Sequence, residues 1–201
     1  MSGPRLAVPP GRAGRLWLQR RLGTAHRGAD LLERKVLILQ EEVSRLQETA
    51  ARTATDWQGR QADAGQWLLR AGLLEGQRAI RLSADATFAE VTISYAASMG
   101  VRYPADAALS VQPAATWDSP ILAATRQAYR EALAAAVRHA AAAEALRVIQ
   151  AEALTTRYRL RAVRDRWIPR LDQALAEVTL ALEEQERSDA ARLRLARTAG
   201  A

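Results

Sequence analysis

The chain has 201 residues, of which 49% are hydrophobic, 25% charged and 5% aromatic, with no cysteine and a formal net charge of +7. That length fits one domain or at most two, and the composition is too apolar for wholesale disorder. A disulfide framework is excluded, and so is an all-β fold, since 44 alanines and long proline-free stretches favour helix.

Residues 1–11 read as a flexible N-terminus. From about Arg12 the apolar residues form a heptad seam: Leu18, Leu22, Ala25, Ala29, Leu32, Val36, Leu39, Val43, Leu46, Ala50, Thr53 and Trp57. It continues more weakly through Ala64, Trp67, Ala71 and Leu74, while Leu31, Leu37 and Ile38 widen the stripe. A seam this long predicts a coiled-coil helix over 12–80, a rod on the order of 100 Å.

Residues 81–119 break the pattern and read as a middle module with a short β-hairpin. Thr87 to Tyr95 alternates apolar with polar, and Phe88, Val91, Ile93 and Tyr95 carry strand propensity. Met99-Gly100 and Tyr103-Pro104 read as turns, and Ala108 to Gln112 as a return strand stopped by Pro113. The alternative is a linker without regular structure.

A second long helix is predicted over 120–197, capped by Asp118 or Ser119 with Pro120 in its first turn, before a tail at 198–201. Its seam reads Leu146, Ile149, Ala153, Thr156, Leu160, Val163 and Trp167, then slips to Leu171, Leu175, Val178 and Leu182. Steps of four there replace steps of three, which locally unwinds a supercoil. Pro169 sits at the slip, and periodicity on both sides reads as one bent helix.

If the two helices fold back on one another with their ends level, facing residues have numbers summing to about 205. Arg20 and Arg21 then face Glu183 and Glu184, and Glu41, Glu42 and Glu48 face the run Arg157, Arg159, Arg161, Arg164 and Arg166. Such complementary flanks favour an intramolecular hairpin over a parallel homodimer. The fold class is therefore all-α, a long antiparallel two-helix coiled-coil hairpin, with the β-hairpin module at the end distal to the termini.

The chemistry is spare. With no cysteine and only His26 and His139, soft-metal sites lack ligands. There is no G-x-x-x-x-G-K-[ST] loop to cradle a nucleotide and no G-x-S-x-G elbow. The reading is no catalytic site, no metal and no cofactor. No apolar run reaches the roughly 20 residues a bilayer span needs, and the basic start lacks the apolar core of a signal peptide. The chain is expected in the cytoplasm and not inserted in a membrane.

Two regions carry a resemblance. Val8-Pro9-Pro10, Leu16, Arg21-Leu22, Ala25, Arg27-Gly28, Leu31-Leu32 and Lys35 make up the first. Arg157 to Val163, Trp167-Ile168-Pro169-Arg170-Leu171, Leu182-Glu183-Glu184 and Glu186-Arg187 make up the second. Together they resemble the D subunit of V-type and archaeal-type rotary ATPases, and the layout of helix, middle module and helix matches as well. The departures are Gly11, where that family usually has Thr, and Ser188 to Arg194, where many members carry aromatic residues and lysines.

The resemblance implies the central rotor shaft of a rotary ATPase, coupling ATP synthesis or hydrolysis to ion translocation across a membrane. It implies peripheral attachment to the membrane through that complex. The implied partners are the nucleotide-binding A and B subunits of the hexamer, the small F subunit of the stalk and the funnel-shaped C/d subunit of the membrane sector. Basic residues near the termini, Arg12, Arg15, Arg20, Arg192 and Arg194, would contact the hexamer bore, with Arg5 and Arg197 adding charge. Trp167, Ile168, Pro169, Arg170 and Leu171 would form the helix bend. Leu22, Leu32, Leu39, Leu46, Leu160, Val163, Val178 and Leu182 would line the inter-helix seam, and Phe88, Val91, Ile93 and Tyr95 the stalk base. The alternatives are a structural coiled-coil adaptor or a basic nucleic-acid-binding coiled coil. No stacking platform or groove-reading motif supports the latter, so nucleic acid is not an expected partner.

Overall fold

The computed structural model describes residues 6–83, 88–111 and 119–199. It is all-α, a long antiparallel helix hairpin carrying one small two-stranded sheet. The elements are α1 (Gly11–Leu74), α2 (Gly76–Ser83), β1 (Glu90–Ser98), β2 (Val101–Ser110), α3 (Pro120–Arg161), a π-helical turn (Ala162–Trp167) and α4 (Ile168–Ala199). The chain divides into two compact units. One comprises residues 1–36 with 155–201, and the other residues 37–154.

In the first unit, Leu18, Ala25 and Ala29 of α1 pack on Ile168 and Leu171 of α4. Leu22, Leu160, Val163, Leu175 and Val178 close around them. Full burial of Leu18 and Leu171 contributes about 1.5–3 kcal/mol each. Within the N-terminal stretch read as flexible, Leu6 and Val8 pack against this cluster. Gly14 makes that possible: a Cβ there would collide with the Pro9 carbonyl oxygen.

The slip at Pro169 has a structural answer. The Ile168 N–H bonds the Val163 carbonyl, five residues back rather than four. The apolar seam therefore runs Leu160, Val163, Ile168, Leu171, with one five-residue step. One surplus residue in the heptad is absorbed by one π turn, and the apolar face continues unbroken. Pro169 lacks the N–H that an α-helical ladder would use at this point, at a cost of about 3 kcal/mol in a regular helix. Trp167, placed on the seam by spacing, stands beside it, and Ile168 takes the buried position.

In the second unit the helices meet through small residues. Ala64 and Ala71 of α1 are buried, as are Ala132, Ala135, Ala141 and Ala145 of α3. Leu39, Leu46, Ala145 and Ile149 form the larger core, joined by Tyr103 from the sheet. Polar staples supplement it: Thr125 Oγ1 donates to the Trp67 carbonyl at 3.2 Å, and the Arg126 guanidinium to the Ser83 carbonyl at 2.6 Å. The helix expected over 12–80 breaks at Gly76, whose φ of +78 is the left-handed geometry that ends a helix. Leu73 and Leu74 consequently stand in solvent.

The sheet turns at Met99-Gly100, with φ of 50 and 82, the two positive values a tight hairpin turn requires. Tyr103-Pro104, read as a turn, lies inside β2. Ser94 pairs with Asp106 and Tyr95 with Pro104, leaving Ala105 as a bulge. In a two-stranded sheet every strand is an edge, so a proline without an N–H is tolerated beside a bulge. The hairpin lies along its own unit's helices: Ala96, Val101 and Tyr103 pack against Leu39, Val43, Leu46 and Ile149. At α3, Ser119 is the cap, its Oγ accepting from the Leu122 N–H at 3.4 Å. Asp118 lies outside the described residues, as do Thr87, Gln112 and Pro113.

Candidate partner-binding surface

The charge is divided unevenly. Residues 1–36 and 155–201 hold 18 basic and 9 acidic side chains, a net of +9. Residues 37–154 hold 11 basic and 13 acidic ones, a net of −2. The whole basic excess belongs to the unit that contains both termini.

Within that unit the ion pairs fix the register. Arg12 meets Glu186 at 2.8 Å and Arg164 holds Glu33 through two hydrogen bonds of 2.9 and 3.3 Å. These pairs sum to 198 and 197, about one heptad short of the expected 205. In the other unit, Arg138–Asp56 and Arg60–Glu131 sum to 194 and 191. Arg20 and Arg21 therefore do not face Glu183 and Glu184. The reason is that the ends are not level: α4 runs past the start of α1, and everything from Glu183 to Thr198 is exposed. That overhang, beyond Glu186, is about 18 Å long at 1.5 Å per residue.

The five arginines assigned to the bore do not converge on one spot. Arg12 and Arg15 line a groove of about 410 Å³ at the start of α1, with Leu16, Thr179, Leu182 and Glu186. Arg20 lies further along, on a second groove of about 500 Å³ that also holds Trp17, Leu32, Val163 and Trp167. Arg192 and Arg194 ride on the overhang, Arg192 3.6 Å from Asp189 of its own helix. Arg5 lies outside the described residues.

Arg21 does something the spacing does not show. Its guanidinium stands 4.8 Å from the centre of the Trp17 ring and 5.9 Å from that of Trp167. This cation–π sandwich ties α1 to the π turn. Trp17 and Arg21 are four apart on one helix, a signal available in sequence, but the second ring comes from residue 167. Around the turn, Ile168 and Leu171 are buried, Pro169 is exposed and Arg170 is partly covered. The hydrogen bonds to Glu33 hold the Arg164 guanidinium above its ordinary pKa.

Of the seam residues, Leu22, Leu160, Val163 and Val178 pack around the first unit's core, and Leu39 and Leu46 form part of the second's. Leu32 and Leu182 are half-buried on the grooves just described. The residues assigned to the stalk base are exposed. Phe88 is 97% accessible, and Val91, Ile93 and Tyr95 share one face of β1. Tyr95 carries the Arg102 guanidinium 4.1 Å from its ring centre.

Glu42, expected to face an arginine run, instead anchors the hairpin. It accepts the Tyr103 hydroxyl at 2.6 Å and is gripped by Arg45 at 2.5 and 3.0 Å. Arg45, through its hydrogen bonds, holds the Glu42 carboxyl below its ordinary pKa; burial together with Glu42 pushes the Tyr103 phenol up.

Among the described residues no group of His, Asp and Glu could hold a metal ion, and no helix is long and apolar enough to cross a membrane. A family model for the ATP synthase D subunit matches residues 16–198. The chain belongs to the ATP synthase D subunit family. It is thus a non-catalytic stalk subunit of a rotary ATPase. No curated protein matches this D subunit sequence.

Proposed function

We propose that this chain is the central rotor shaft of a V/A-type rotary ATPase. It couples ATP synthesis or hydrolysis in the catalytic hexamer to ion translocation across a membrane. The observation that carries the reading, beyond family membership, is the concentration of the basic excess in the unit holding both termini. That unit ends in a single helix exposed all round. A basic, solvated helix end suits a bore lined by the A and B subunits, whose attraction to it is electrostatic and salt-sensitive. Arg12, Arg15, Arg20, Arg192 and Arg194 are the contacts assigned to that bore. Two helices of unlike sequence present a different face to each of three catalytic interfaces, which lets one shaft impose three states at once.

The exposed apolar face of β1 and Phe88 suit the remaining contacts, with the small F subunit and the funnel-shaped C/d subunit. In this reading the chain is cytoplasmic and held at the membrane through the complex. The test is a pull-down of the tagged chain from its native membranes, beside a variant with Arg12, Arg15, Arg192 and Arg194 changed to Glu. The wild type should bring down the nucleotide-binding subunits, and the variant should lose them. A variant that retains them with unchanged salt dependence would overturn the bore assignment. A wild type that brings down none would overturn the shaft.

A further inference from the structure

The π turn keeps the seam aligned in this sequence, but the core by itself does not call for the surplus residue that the turn absorbs. Val163 and Ile168 are both on the core of the first unit, and a chain one residue shorter between them would put Ile168 on an uninterrupted heptad. The sequence nevertheless keeps the surplus residue and sets Pro169 directly behind it, where no N–H is available to rebuild an α-helical ladder. Features that break a local rule without helping the core mark functional positions, and π turns recur at such positions.

The surroundings point the same way. Arg164 and Trp167 both come from the turn and both reach across to α1, one to Glu33 and the other to the Arg21–Trp17 pair. The facing stretch of α1 is regular helix throughout, so only one of the two helices is interrupted. An interruption in one strand beside an intact one forms a joint that twists without unzipping. The side-chain ties on its outer surface limit how far it moves.

We propose that Ala162–Trp167 with Pro169 is a hinge: a torsionally soft joint at which α4 twists against α1. The Arg21–Trp167 and Arg164–Glu33 contacts hold it in its resting setting. This role rests on the reading of the chain as a rotor shaft, in which the joint absorbs and returns twist during each catalytic step.

The first test needs only the isolated full-length chain. Amide exchange at Arg166, Trp167 and Ile168 should be about 100-fold faster than in the flanking helices at Leu160 and Leu175. Arg21→Ala should speed it further. Equal protection across the segment would overturn the hinge. The second test is a straightened variant, with Arg166 deleted and Pro169→Ala, which keeps Ile168 on the seam. It should lose the fast exchange and melt several degrees higher. Reassembled into the complete membrane-bound complex, it should lose ATP-driven ion transport while still co-purifying with the nucleotide-binding subunits. A lower melting temperature would show that the turn serves packing, and unchanged coupling would show that it serves no mechanical role; either overturns the proposal. Failure of the wild type to assemble would count against the shaft reading, and the exchange experiment would still decide the hinge.

Discussion

The two units bury their helix interfaces with different side chains. The first packs Leu18, Ile168 and Leu171 on Ala25 and Ala29 with tryptophans at the edge, while the second adds to Leu39, Leu46 and Ile149 a long run of buried alanines on α1 and α3. Bulky residues interlock and specify register, but they tolerate local irregularity, since a leucine can reach across a gap. Small residues bring backbones close together and leave no slack. The irregular π turn sits in the first kind of interface, and the regular α3 helix in the second. Charge follows the same division, +9 against −2. The unit that contains the π turn also carries the whole basic excess.

The largest expected effects come from treating the two cores in opposite ways. Leu171→Ala removes a fully buried side chain from the first unit and should cost about 2–5 kcal/mol. Ala135→Leu forces bulk into the alanine-lined interface of the second and should cost about 1–3 kcal/mol. Hydrogen exchange should localise each loss to its own unit. If Ala135→Leu were neutral, the helices there would have slack and the contrast would fail.

An intermediate effect is expected at the hairpin. A two-stranded sheet is marginal alone, so its docking depends on Tyr103 and the Glu42 bond. Tyr103→Phe should cost about 1 kcal/mol, read as faster exchange in β1 and β2. Acid and alkali should both loosen it. Glu42 has its pKa depressed below the ordinary 4.5, so its contribution is present above that value and lost as the pH falls through the folded one. Tyr103 has its pKa raised above 10.0, so its contribution is present below that value and lost as the pH rises through the folded one. Chemical shifts of the sheet across pH would show a plateau with two losses. A flat profile would mean that the ring alone holds the strap.

Why some of this is legible in the sequence and some is not follows from the range of the interactions. The seam through Leu18, Leu39 and Leu46 is a local periodicity, and burial follows it. The one-residue slip at Pro169 is also visible, because a heptad count registers any surplus residue. What the count cannot tell is that Ile168 rather than Trp167 takes the buried place, since that depends on whether the surplus becomes a kink or a π turn. Tyr103 misleads because a Tyr-Pro dipeptide suits a turn locally, and its real partners, Glu42 and Ile149, lie far away in sequence. The inter-helix register escapes by about a heptad for the same kind of reason. It is set by where α4 outruns α1, and no local pattern records an overhang.

The smallest effect on stability is expected where the charge is most visible. Arg12 and Glu186 are both largely exposed, with side chains 84% and 59% accessible. Water screens such a pair, so Arg12→Ala should move the melting temperature by about 2 °C at most. If these arginines exist for a partner, the same substitution should still weaken hexamer binding, with the loss shrinking as salt is raised. A large thermal shift with unaltered binding would reverse the argument and make the basic unit's charge part of its own framework. A small shift with weakened, salt-dependent binding is what a surface charged for another molecule should give.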